Sequence, residues 1–428
     1  LRWHYSIENI KHLEQNAGLK KLLPSGRDQW IVYILCLAVF AGFSSFRLVI
    51  SLGVIGLIVF GLLAFNIKET FKAYISRPAF YLNVLFFLVI LLSFFNSEDK
   101  HHWLTFLQIK LPFLFLPLAF CSFSFFDRAF FNKILFAFAC IMTISAIGVM
   151  INYAANYEYI TRWVSGGGII PTPFSHIRYT LLLVFAFFCF IWLWEEKVLV
   201  KSWLLLIPAV FIFVVIHILS SRSGWVALYV GLLFYLITYV VRYRKYLIGA
   251  VMLVTLVLAP ILFYQFIPSF HNKVGYMRWN IERYQLGEVD DMSDAMRITS
   301  WRSGVKIIEE HPYTGVGVGD LLDESKKASR ELFPKIKNDE DRKMPHNEFI
   351  WIWAATGIFG LIGYCVAFLF PFISGMRARN WLFAILFIIF LSAFMTEPAL
   401  EEQIGSTFYL LFLLIFLTHF THSTAAND

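Results

Sequence analysis

Read from its first residue, the chain alternates long apolar runs with short polar joints as far as residue 266, then changes character. Runs long enough to cross a bilayer lie near 30–46, 47–65, 79–95, 111–126, 130–151, 177–194, 203–219, 224–241, 246–266, 347–370, 381–395 and 404–420. Between the ninth and tenth runs lies a polar segment, 267–345. The pattern predicts an all-α polytopic membrane protein with about twelve transmembrane helices and a large, partly helical loop on one face. The expected division is a polar N-terminal segment 1–29, spans over 30–266, the loop 267–345, spans over 346–420 and a tail 421–428. Pro112 and Pro117 predict a kinked or re-entrant fourth span.

Inside the loop, 293–311 predicts an amphipathic helix with Ser293 as N-cap and an apolar stripe of Ile298, Trp301, Val305 and Ile308, stopped by Pro312. Gly315, Gly317 and Gly319 follow in a turn-rich stretch. Such a turn either exposes N–H groups to a phosphate or packs the loop on the membrane domain. It lacks the Lys-Ser/Thr of a P-loop and follows no strand, so nucleotide binding is not expected. The charge density of 323–343 predicts a solvated, mobile cover.

At 59% hydrophobic and 15% charged residues, the composition excludes a soluble domain. The net charge of +7 does not imply nucleic acid, because the basic residues gather at helix ends and in the long loop. With the N-terminus inside, the interior joints take Lys68, Arg77, Arg128, Lys133, Arg242, Arg377 and Arg379 among others. The opposite short joints hold only Arg47, Lys100, Lys110, Arg162, Arg178 and Arg222. That bias predicts both termini in the cytoplasm. Five cysteines in apolar runs suggest neither a disulfide framework nor a metal site, and no cleavable signal peptide is expected in the polar residues 1–29. Trp30, Trp203 and Trp351 suit interfacial anchoring.

The polar loop meets an apolar helix at His346-Asn347, followed after nine residues by Gly357 and after two more by Gly360. At about 100° per residue both glycines fall beneath His346, on one face with Ile350 and Trp353, where small residues admit a neighbouring helix. Arg222 and His346 share the expected outer face.

These features resemble the O-antigen ligase family over nearly the whole chain. The His346-Asn347 spacing to Gly357 and Gly360 matches the ligase signature. Residues 309–320 (EEHPYTGVGVGD), preceded by Arg297 and Trp301, resemble the loop of the wider superfamily, and 220–225 (SSRSGW) resembles its outer-face arginine. The family often carries a leucine four residues after that arginine, where this chain has Val226. The resemblance implies a membrane-embedded C-type glycosyltransferase fold in the bacterial inner membrane. It also implies transfer of a glycan from undecaprenyl pyrophosphate to an acceptor hydroxyl, the lipid A core sugar, on the periplasmic face.

The residue types suit that chemistry. A histidine near its ordinary pKa accepts a proton, so His346 is the candidate base. Arginine forks onto phosphate oxygens, which makes Arg222 and Arg297 candidates for a pyrophosphate clamp, with Arg302 as a third. Asn347, His176 and Arg178 are candidates for substrate contact. Glu397, Glu401 and Glu402 are expected to pair with the basic loop or assist the base. No metal or other cofactor is expected, and direct displacement would invert the anomeric centre. A polymerase or a protein O-oligosaccharyltransferase of the same superfamily stays open. A transporter or flippase is disfavoured because the spans are nearly free of central charge.

Overall fold

A computed structural model describes residues 26–44, 46–286 and 293–425, and throughout these the regular elements are helical. The N-terminal segment to residue 25, the last three residues and the side chain of Ser293 lie outside the described residues. The membrane domain begins with α1 (Arg27–Gly42), α2 (Arg47–Leu63), α3 (Ile67–Ile75), α4 (Pro78–Phe95), α5 (Lys100–Phe120) and α6 (Arg128–Ala155). It continues with the short α7 (Tyr157–Ser165), then α8 (His176–Glu195), α9 (Ser202–Leu219), α10 (Arg222–Tyr243) and α11 (Tyr246–Phe266). The loop supplies α12 (Pro268–Gln285), α13 (Ser293–Glu310) and α14 (Leu321–Leu332). The chain then returns through α15 (Glu348–Ala378), α16 (Trp381–Phe394) and α17 (Gln403–Ala425).

The protein is therefore an all-helical polytopic membrane protein, as the apolar pattern predicts. Among the described residues nine helices are long and apolar enough to cross a membrane, or ten if α2 and α3, bent by 106°, form one span. The expected twelve is not reached by this measure, since α16 has only 14 residues and α1 only 16. Burial separates centre from rim: 83% of the apolar window of α8 and 89% of that of α17 is buried, against 11% for α11.

Side-chain caps fix several helix starts. Asp99 accepts from the His101 and His102 backbone N–H groups, Asp127 from Phe130, and Asn380 from Phe383. The Asp99 cap moves the expected fourth span: α5 begins at Lys100 rather than near 111, and Pro112 and Pro117 lie inside it. Lys110 is consequently not a joint residue. It sits at mid-helix, fully buried, with Nζ 2.8 Å from the Glu401 carboxylate and 2.6 Å from the Leu400 carbonyl. The spans expected to be nearly free of central charge carry an exception at this pair.

α10 places a guanidinium at each end, Arg222 and Arg242. Twenty residues at 1.5 Å each separate them by about 30 Å, the thickness of a bilayer core. His176 and Glu195 bracket α8 in the same way. Arg77, Arg128, Arg242, Arg377 and Arg379, all expected on the interior side, line one cavity at the Arg242 end.

The loop differs from its expected form in two ways. The buried face of α13 shares only Ile308 with the expected stripe Ile298, Trp301, Val305 and Ile308, of which Val305 is exposed. It is instead Ala295, Thr299, Ser300, Ser303, Ile307 and Ile308, together with Gly304, where a Cβ would strike Pro345 and Ile350. Small residues on α13 thus bring it close to the start of α15. The charged stretch 323–343 is no mobile cover: α14 and the turn after it are pinned by buried Arg342. That guanidinium donates to Ser329 Oγ (3.0 Å) and the Ile336 carbonyl (2.7 Å). Trp351 is not an interfacial anchor either, being fully buried beside Phe106.

Candidate active site

α15 is not a continuous helix. Gly357 has φ 70° and ψ −176°, a conformation open essentially to glycine, and a Cβ there would collide with the Tyr313 carbonyl. The break frees backbone groups, and the turn after α13 takes them up. Val316 N donates to the Ala354 carbonyl (3.0 Å), Gly317 N to that of Ala355 (2.8 Å), and Ile358 N to that of Pro312 (3.0 Å). On its other side the turn is tied to α5, where Asp320 accepts from the Glu98 and Asp99 N–H groups. The glycine-rich turn is therefore packing, and its N–H groups at Val316 and Gly317 already have partners. The helical-wheel expectation for Gly357 is corrected accordingly: the loop backbone, and not a neighbouring helix, approaches it. Gly360 lies against Val89 of α4.

This arrangement sets His346 at the head of α15. Asn347 is the N-cap, accepting from Phe349 N (3.0 Å) and Ile350 N (3.1 Å), so its side chain serves the helix rather than a substrate. α13 holds the His346 backbone from both sides: His346 N donates to Ser300 Oγ (3.1 Å), and Trp301 Nε1 donates to the His346 carbonyl (2.8 Å). His346 Nδ1 lies 3.1 Å from the Met344 carbonyl. A carbonyl only accepts, so the proton sits on Nδ1 and Nε2 is the basic atom. Burial first, then the charge of Arg297, hold the imidazole below its usual range. It is neutral at neutral pH.

Arg297 is the strongest of the cations acting on it, followed by Lys343 and Arg178, and Arg222 and Lys273 lie within reach of Arg297. Arg297 on α13 is depressed by burial, with Glu397 pulling the other way. Lys273 on α12 is pushed down to about 8 by burial and by the charges of Arg222 and Arg297. Lys273 is a group that the sequence reading passed over. Only the fold brings 222, 273 and 297 together, and the 50 residues between the first two carry no local signal. Ser221, beside Arg222 at the start of α10, has a buried hydroxyl with no hydrogen-bond partner among the described residues. A helix N-terminus with two guanidinium groups and an ammonium is a setting for a diphosphate.

Arg178 and His176 border this group, the first acting on His346 and the second within reach of the Lys273 charge, whereas Arg302 stands apart. Arg178 Nη2 and Nη1 pair with Glu397 (2.6 Å) and Glu402 (2.8 Å), so its fork is occupied within the protein. His176 Nε2 lies 2.9 Å from the Leu219 carbonyl and ties α8 to α9. Arg302 stands five residues after Arg297, about 140° around α13. It lines a separate groove of about 660 Å³ with Trp301, Lys306, Glu309, Glu310 and Phe333.

Below the site, Glu348 accepts from Tyr364 Oη and from Leu400 N, and Lys110 binds Glu401. These contacts anchor the 396–402 segment, which carries Glu397. Burial pushes the Glu397 carboxyl up, and Arg178 and Arg297 draw it back down.

Residues 207–365 match the family model described as O-antigen ligase, which supports the O-antigen ligase family and a membrane glycosyltransferase of that superfamily. The matched stretch contains Arg222, Lys273, Arg297 and His346, and excludes Arg178 and Glu397. Among curated proteins, none matches the chain.

Proposed function

We propose that this membrane glycosyltransferase moves a glycan from undecaprenyl pyrophosphate to an acceptor hydroxyl, that of a lipid A core sugar, at the periplasmic face of the inner membrane. The observation that carries the reading is a group of three cations largely withdrawn from solvent, Lys273, Arg297 and Arg222, of which Arg297 acts on a neutral His346. In it, the segment 267–345 lies outside the cytoplasm and both chain ends lie within. The three cations hold the diphosphate and stabilise the charge that grows on it as the glycosidic bond breaks. His346 Nε2 takes the proton of the acceptor hydroxyl as its oxygen attacks the anomeric carbon from the opposite side, which inverts that centre. Trp301, whose indole N–H binds the His346 carbonyl, also lines the groove with Arg302, and that groove is the approach assigned to the acceptor. The donor is already activated, so no nucleotide is needed.

The test is transfer by purified protein supplied with lipid-linked oligosaccharide and core acceptor. His346→Ala should yield no product while remaining folded and inserted; normal product from it would remove the assigned base. Loss of the gene separates the ligase from a polymerase of the same superfamily. Ligase loss leaves bare core with long polymer on the carrier, whereas polymerase loss leaves core capped with single repeats.

A further inference from the structure

At the opposite end of the helices from His346 lies a cavity of about 1080 Å³. It is formed where α8, α10, α15 and α17 end and α6 and α16 begin. Its three acids are engaged internally. Glu196 takes the Arg128 fork at 2.6 and 2.5 Å, Glu195 accepts from Tyr235 Oη and Trp381 Nε1, and Asp127 caps α6. Arg242, Arg377 and Arg379 also line it, and among the described residues none of the three has a carboxylate partner. Close to these arginines along the chain, Val241, Ile373 and Met376 are exposed apolar side chains. Cationic forks in a cavity and exposed apolar side chains on the same helix ends are the two halves of a phospholipid site.

We propose that this cavity binds the phosphodiester headgroup of an anionic phospholipid, with Arg242, Arg377 and Arg379 on the phosphate and the acyl chains along Val241 and Ile373. The site is remote from the transfer chemistry and stands whether or not the reaction proposed above is correct.

The experiment uses the full chain in neutral detergent, with bound lipid counted by native mass spectrometry. Phosphatidylglycerol should be retained at least tenfold better than phosphatidylcholine. Each arginine changed to glutamine should weaken that retention roughly fivefold, and the triple variant by about a hundredfold. The triple Arg→Lys variant keeps the charges and should keep most of the binding. It also serves as the folding control, and the single variants Arg377→Gln and Arg379→Gln stand in if the triple glutamine protein does not fold. Equal retention of the two lipids, or unchanged retention in the glutamine variants, would overturn the proposal. So would displacement of the lipid by millimolar inorganic phosphate, which would identify a small anion as the occupant.

Discussion

The indole N–H of Trp301 donates to the backbone carbonyl of His346 across 2.8 Å, joining a loop helix to the head of a membrane span 45 residues later. The bond acts on the backbone of His346 and leaves its imidazole free to react. Trp301→Phe keeps the ring and removes the donor, leaving a partly buried carbonyl unsatisfied. The expected loss is about 1–2 kcal/mol, or roughly tenfold in turnover, with little change in donor KM. Steady-state kinetics of the purified variant measure it; a change confined to KM would mean that Trp301 binds substrate instead.

The pH profile of kcat/KM should be a bell. His346 must be neutral, and its pKa is lowered, so activity persists below pH 6.5 and falls only as pH drops through that lowered value. Lys273 must be charged, and its pKa of about 8 in the free enzyme places the alkaline limb there. Lys273→Met should lower kcat/KM throughout and abolish the alkaline limb alone. An alkaline limb that persists in this variant would assign it to another group.

Arginine identity should matter at two positions and not at a third. Arg222→Lys and Arg297→Lys keep charge but lose the planar fork, with an expected loss of about a hundredfold in kcat/KM. Arg302→Lys lies in the separate groove and should stay within about threefold for the donor. Comparable losses at all three would place Arg302 on the diphosphate and refute the division drawn from α13.

The helical architecture was legible because apolar runs near bilayer length have few folded solutions, and His346 stood out as a candidate because it sits where the polar loop meets such a run. What escaped was set by tertiary contact. Lys110 reads as a joint charge until Asp99 is recognised as a cap eleven residues earlier, and Arg178 reads as a free cation until Glu397 and Glu402 close on it. The buried face of α13 is not legible in the apolar pattern because burial there follows small residues that permit close approach rather than large apolar ones. Lys273 had no sequence signal at all, since its importance arises from neighbours 51 positions before it and 24 after.

Gly357 should tolerate no side chain. Its φ of 70° with ψ near 180° strains any other residue, and the Tyr313 carbonyl fills the space a Cβ needs. Gly357→Ala is expected to destabilise by about 3 kcal/mol or more, because the loop turn must withdraw and expose the carbonyls of Ala354 and Ala355. Thermal melting in detergent reads the effect. Gly360→Ala meets Val89 and Thr356 side chains rather than backbone and should be milder; the reverse order would contradict the broken helix.

The buried pair of Lys110 and Glu401 gives a prediction with a built-in control. Both side chains are almost wholly removed from solvent, and Glu401 Oε2 has no hydrogen-bond partner among the described residues. Lys110→Met leaves an uncompensated carboxylate and should cost about 3–5 kcal/mol. Glu401→Gln alone leaves the ammonium unpaired and should cost a similar amount. Combining Lys110→Met with Glu401→Gln removes both charges, so the double variant should recover most of the stability that either single change loses. Because the pair anchors the segment bearing Glu397, transfer activity should follow the same order. A double variant no more stable than the singles would show that the pair stabilises by specific geometry rather than by mutual neutralisation.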